Sequence, residues 1–146
     1  MPGGLSMSNR SSNTLNLSSP ATVLAVAMFC FSSAALLLPA SVLATLSNWL
    51  AFARPPVADI SSSDKWVHGL IFTLCGYSVM RAWGFGARSW LWALCALVAY
   101  GAATEALQLL VPGRSASWGD WFADALGACI GVCLGFLRNL YQARAR

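Results

Sequence analysis

Asp64 and His68, Glu105 and Gln108, and Asp120 and Asp124 form three polar pairs in an otherwise apolar chain. Their spacings of four, three and four residues put each pair on one helix face. An imidazole beside carboxylates can trade protons as a general acid/base pair, or offer mixed nitrogen and oxygen ligands to a divalent ion. The usual zinc spacings of repeated Cys and His are absent from the sequence, so no metal and no cofactor is expected. Lys65 and Arg114 accompany the pairs. In a tight loop the Arg114 guanidinium can clamp a phosphate or carboxylate bidentately, or pin Asp120. Simpler roles compete: His68 as a helix-start histidine satisfied by Asp64 or water, Lys65 as an interfacial anchor, and Asp120 as an N-cap. Asp124, one turn deeper, has less structural excuse. Ser115 and Ser117 have no nearby base in sequence and are poor candidates for nucleophilic catalysis.

The elements that must position these groups are apolar spans. The chain has 146 residues, 58% hydrophobic and 10% charged, far from the average soluble composition. Spans are expected at about 21–38, 65–83, 90–111 and 121–140, an all-α membrane fold of four transmembrane helices with short outer loops. The second reaches membrane length only if Lys65 and Arg81 snorkel toward opposite interfaces. Residues 1–19, rich in Ser, Asn and Gly, read as a disordered cytoplasmic tail, 20–141 as the membrane domain, and 142–146 as a basic tail. Arg10 before the first span and the small-residue run Val42-Leu43-Ala44 after it also fit a cleaved secretory signal, but the apolar run exceeds the roughly 7–15 residues of such a signal, and the span is expected to stay in the membrane. Pro39 should end or kink it. Ser61, Ser62 and Ser63 are N-cap candidates for the second span, with Asp64 in its first turn. Gly84-Phe85-Gly86 should turn the chain, Pro112-Gly113 should end the third span, and Asp120 should begin the fourth. On those boundaries Glu105 lies roughly 9 Å below the outer end of its helix. Gly127, Gly131 and Gly135 recur every four residues, the spacing that lets membrane helices approach closely.

Charge sets the expected orientation. Arg10, Arg81, Arg88, Arg138, Arg144 and Arg146 fall on one side of such a fold with no acid. All five acids, Asp59 among them, fall on the other with Arg54, Lys65 and Arg114. The positive-inside rule then places both termini in the cytoplasm and the polar pairs at the outer face. The net charge of +4 is accounted for by this distribution and implies no nucleic-acid partner. Cys30, Cys75, Cys95, Cys129 and Cys133 all lie in apolar segments and imply no disulfide framework. Trp66, Trp83, Trp90, Trp118 and Trp121 stand at span ends, where an aromatic belt belongs. No pattern specifies an oligomeric state.

Asp64-Lys65-x-x-His68, Glu105-x-x-Gln108, the Pro112-Gly113-Arg114 turn and Asp120-x-x-Ala123-Asp124-x-x-Gly127-x-x-x-Gly131 follow one another on consecutive spans. Together they resemble the VanZ-like family of bacterial membrane proteins, over about Asp64 to Gly135. One departure is Asp124, where the family pattern usually has Asn. The resemblance implies a small multi-pass protein of the bacterial cytoplasmic membrane, in a family whose namesake is associated with teicoplanin resistance. It supplies no mechanism.

Three functions remain open on the sequence. The first is a non-enzymatic envelope protein whose outer polar site, ringed by Trp66, Trp118 and Trp121, binds a lipid head group or a lipid-linked cell-wall intermediate, with an effect on the envelope or on glycopeptide susceptibility. The second is a membrane-embedded hydrolase or transferase acting on an envelope lipid, with His68 as acid/base and Glu105 or Asp120 as its partner. In the third the cluster only aligns helices.

Overall fold

The computed structural model describes residues 19–39, 41, 42, 45, 60–82 and 89–145, with the side chains of 60–64 and 89 outside that set. Four long helices carry the chain: α1 (Pro20–Leu37), α2 (Ile60–Ala82), α3 (Ser89–Gln108) and α4 (Trp118–Arg144). The described residues contain no strand. The expected N-terminal tail, the Gly84–Gly86 turn, and Asp59, Trp83, Arg10, Arg54, Arg88 and Arg146 lie outside the described residues.

Local chemistry explains where the helices begin and end. Ser19 caps α1, its Oγ accepting from the Thr22 amide at 3.1 Å, and Pro20 occupies the first turn, where a missing N–H costs nothing. α1 ends at Leu37, just before Pro39. α2 begins at Ile60, so Ser61–Ser63 lie inside it rather than capping it, and Asp64 falls beyond its first turn. α3 stops at Gln108, earlier than the expected boundary at residue 111, and a turn through Gly113 at φ 76° leads to α4. Glu105 is therefore three residues from its helix end, roughly 4.5 Å deep rather than 9 Å. α4 starts at Trp118 with Ser117 as N-cap, which overturns the reading of Asp120 as the cap; Asp120 lies within the first turn. Arg81 and Arg144 close α2 and α4, cations at the negative ends of the helix dipoles.

α2 is the hub. It packs on α1, α3 and, most extensively, α4, whereas the backbones of α1 and α4 do not approach each other closely. The α2–α4 crossing depends on glycine. A Cβ at Gly127 would collide with the Gly69 carbonyl, and one at Gly131 with the Thr73 carbonyl. At Gly135 it would come within 2.5 Å of Met80 Cβ. Around this crossing Phe72, Cys75, Met80, Leu97, Ala128 and Val132 are buried. Leu70, Leu110, Leu126 and Ile130 are exposed, the apolar outer surface of a protein that meets lipid.

Three helices are long and apolar enough to cross a membrane: Pro20–Leu37, Trp90–Gln108 and Trp118–Arg144. α2 is not one of them, although it is the best packed. Polar residues lower its hydropathy because its neighbours rather than lipid cover them: His68 and Ser78 are buried against protein.

Candidate functional site

The C-termini of α1 and α3 and the N-termini of α2 and α4 meet at one end of the bundle. The opposite end is tied by Asn139, whose Nδ2 donates to the Met80 carbonyl at 3.0 Å. At the first end, His68 Nδ1 and Asp124 Oδ1 are 3.0 Å apart, 1% and 0% exposed. The pair joins α2 to α4 just where Gly69 and Gly127, each next to or one turn from a partner, bring the backbones together. Asp124 also rests on Gly101 of α3, where a Cβ would stand 3.2 Å from its own Cβ. Gly101 is thus a third small residue the site needs, and no glycine repeat in α3 announced it.

Glu105 is 7% exposed, and its Oε2 accepts the Ser117 backbone N–H at 2.6 Å. Ser117 in turn caps α4 through its hydroxyl, which accepts from the Asp120 amide at 3.4 Å. One residue in the loop therefore fixes both the Glu105 carboxylate and the helix start that bears Asp120. This role differs from the nucleophilic one considered for Ser117 on the sequence; its position three residues before an acid is the capping signal. Glu105 Oε1 and Asp124 Oδ2 are buried without a hydrogen-bond partner among the described residues.

Gln108 and Arg114 do something else. Gln108 Nε2 donates to the Leu36 carbonyl at 2.8 Å, and an Arg114 Nη donates to the same oxygen at 3.2 Å. This oxygen belongs to the last turn of α1, where helical carbonyls lack internal partners and a cation suits the dipole. Both residues lock α1 to the α3–α4 turn. Among the described residues, neither Arg114 nor Lys65 lies within ion-pair distance of a carboxylate, whereas His68 and Asp124 form an ion pair. Tyr100 makes a second tie to α1, its hydroxyl 2.9 and 2.7 Å from the Ser32 and Ser33 hydroxyls, a link sequence reading did not find.

A ring nitrogen of His68 and carboxylate oxygens of Glu105 and Asp120 all lie within 4.8 Å of one another. Three residues from three helices thus converge, with Asp124 behind the imidazole. Lys65 and Trp66 are exposed and line a groove between α2 and α4, the end of the lysine lying over Gly119. Trp118 is 80% exposed, while Trp121 is half-buried with its Nε1 donating to the Val98 carbonyl. The side chain of Asp64 lies outside the described residues.

The VanZ/LLP1 family model matches residues 5–139. No curated protein and no solved structure matches the chain. A match over nearly the whole chain, joined to helices long and apolar enough for a membrane, identifies the protein as an all-helical membrane protein belonging to the VanZ/LLP1 family.

Proposed function

We propose that this protein is a cell-envelope component of the bacterial cytoplasmic membrane that holds a phosphate-bearing lipid at the outer ends of α2 and α4. In this reading both termini are cytoplasmic, an orientation supported by the distribution of basic residues. One observation carries the ligand: an apolar groove of about 520 Å³ between α2 and α4, with Lys65 at its polar end. Gly69, Leu70, Thr73, Leu126 and Ile130 line its length. That volume is in the range of about 300–1,000 Å³ typical of small-molecule sites. An acyl or prenyl chain fits the apolar walls, and the exposed ammonium meets the phosphate at the interface, where a lysine keeps its charge in water. Trp66, 80% exposed beside it, suits the same depth. If the lipid is a cell-wall intermediate, altered glycopeptide susceptibility follows from its sequestration.

Native mass spectrometry of the detergent-purified protein tests this. Phosphatidylglycerol and a polyprenyl phosphate are expected to be retained over phosphatidylcholine, and Lys65→Gln to abolish the preference. Equal retention of all three lipids, or an unchanged preference in Lys65→Gln, refutes the reading.

The His68–Asp124 pair favours one alternative, an enzyme acting on an envelope lipid. A carboxylate bonded to one ring nitrogen orients imidazole for proton transfer at the other. Identical lipid turnover by wild type and His68→Ala removes that reading.

A further inference from the structure

Glu105, Asp120 and Asp124 bring three carboxylates around one imidazole, and among the described residues neither Lys65 nor Arg114 is within ion-pair distance of them. Arg114 is bonded to the Leu36 carbonyl, and Lys65 is exposed at the groove. Carboxylates gathered at the end of a membrane bundle carry a large desolvation cost that one imidazole does not offset. We propose that His68, Glu105 and Asp120 bind one divalent transition-metal ion, of the class of Zn²⁺ or Mn²⁺.

The ligand set fits. One imidazole nitrogen and two carboxylate oxygens are the mixture that suits these ions rather than Ca²⁺ or Cu⁺. Each ligand comes from a separate helix or helix start, and all three atoms lie within 4.8 Å of one another. Ligands on a tetrahedral ion at about 2.0–2.2 Å stand roughly 3.4 Å apart, so the side chains need to close by no more than about 1.4 Å. Glu105 supplies an independent sign. Its Oε2 is held by the Ser117 amide, while Oε1 is buried with no hydrogen-bond partner among the described residues. Such an atom forfeits its hydration without compensation unless something fills the place.

Asp124 completes the arrangement from behind. Its bond to Nδ1 leaves Nε2 as the ring atom for the ion, the carboxylate–histidine–metal relay that fixes tautomer and ring orientation. Asp124 is thus a positioning residue, not a ligand. Asp120 is half-buried, so ion and solvent exchange have an approach from the loop side. Three protein ligands leave at least one coordination position for water or a ligand oxygen.

This inference does not rest on the lipid groove, and the experiment separates them. Detergent-purified full-length protein is stripped with chelator, equilibrated with ZnCl₂ or MnCl₂, and assayed for bound metal and for its thermal midpoint. Wild type is expected to retain about one ion per chain and to gain thermal stability as mass action requires. Glu105→Gln, which keeps an acceptor for the Ser117 amide, and Asp120→Asn should each weaken binding at least about tenfold, and Asp124→Asn by roughly 10–100-fold. Lys65→Gln should bind metal as wild type does, whatever it does to lipid. Retention no greater than that of the Glu105→Gln/Asp120→Asn double variant overturns the proposal, as does unchanged affinity in both single variants. Should Glu105→Gln fail to fold, Asp120→Asn at the half-buried helix start decides the matter alone.

Discussion

Gly131→Ala should uncouple the site without touching any residue in it. A methyl there collides with the Thr73 carbonyl oxygen and stands 2.9 Å from both Thr73 C and Tyr77 N, all backbone of α2. Ordinary contact begins near 3.4 Å, so α2 must retreat at least about 0.5 Å, and further opposite the carbonyl. A radial gap of about 0.5–1 Å forfeits a quarter to a half of each dispersion contact along the crossing. No rotamer change relieves a clash with backbone, which puts the cost toward the upper part of the roughly 1–3 kcal/mol range for overpacking. The His68–Asp124 distance of 3.0 Å would lengthen past hydrogen-bonding range with the same movement. Gly119→Ala is the matched control. Its methyl meets the flexible end of Lys65, Cε at 2.9 Å and Nζ at 3.4 Å, and the Ser117 hydroxyl at 3.4 Å, an ordinary contact, and is expected to cost within about 0.5 kcal/mol. Reversible unfolding in mixed detergent and SDS micelles, followed by tryptophan fluorescence, measures both. If Gly131→Ala unfolds within about 0.5 kcal/mol of Gly119→Ala, the close α2–α4 crossing is not what holds the site.

Further substitutions test the polar ties. Gln108→Leu removes the shorter of two donors to the buried end of α1 and is expected to cost about 1–2 kcal/mol in the same unfolding assay, with Arg114→Met adding to it; no loss in the double variant would contradict the locking role. Asp124→Leu removes the acceptor facing His68 Nδ1 and should cost roughly 1–3 kcal/mol, whereas Asp124→Asn keeps an oxygen acceptor and should cost less. Nitrogen-15 NMR of the single histidine should report the Nδ1–H tautomer in wild type and in Asp124→Asn; an Nδ1 that carries no proton in wild type would refute the assigned orientation.

The bearing of the individual residues divides along a physical line. Helix locations were legible because apolar runs, Pro39 and Pro112-Gly113 act through the local backbone, and α1 matched its expected bounds to within one residue at each end. Helix ends were less legible: α3 stops at Gln108, short of its Pro112-Gly113 breaker. Ser61–Ser63 look like caps but continue α2, and Ser117 rather than Asp120 caps α4, because a side-chain oxygen caps only the amides within its reach. The charged residues stood out in the sequence, since charge in an apolar chain is costly wherever it lies, whereas Ser117 did not. The assignments of the charged residues to one another did not. Glu105 found a backbone amide rather than Arg114, Lys65 or His68. Arg114 found a carbonyl of α1, 78 positions away.

Sequence by itself determined that this is a helical membrane chain with one end rich in carboxylates, because composition, periodicity and local breakers each act over a few residues. It also carried the glycine spacing of α4, since a four-residue repeat defines a helix face whatever lies against it. Tertiary structure alone decided that α2, the least membrane-like of the four helices, is the hub. It alone divided the polar residues into Gln108 and Arg114 closing α1, and His68, Glu105 and Asp120 converging in front of Asp124. A hydrogen bond or a shared ligand site depends on distances of about 3 Å between residues tens of positions apart, and only the packing of the helices sets those.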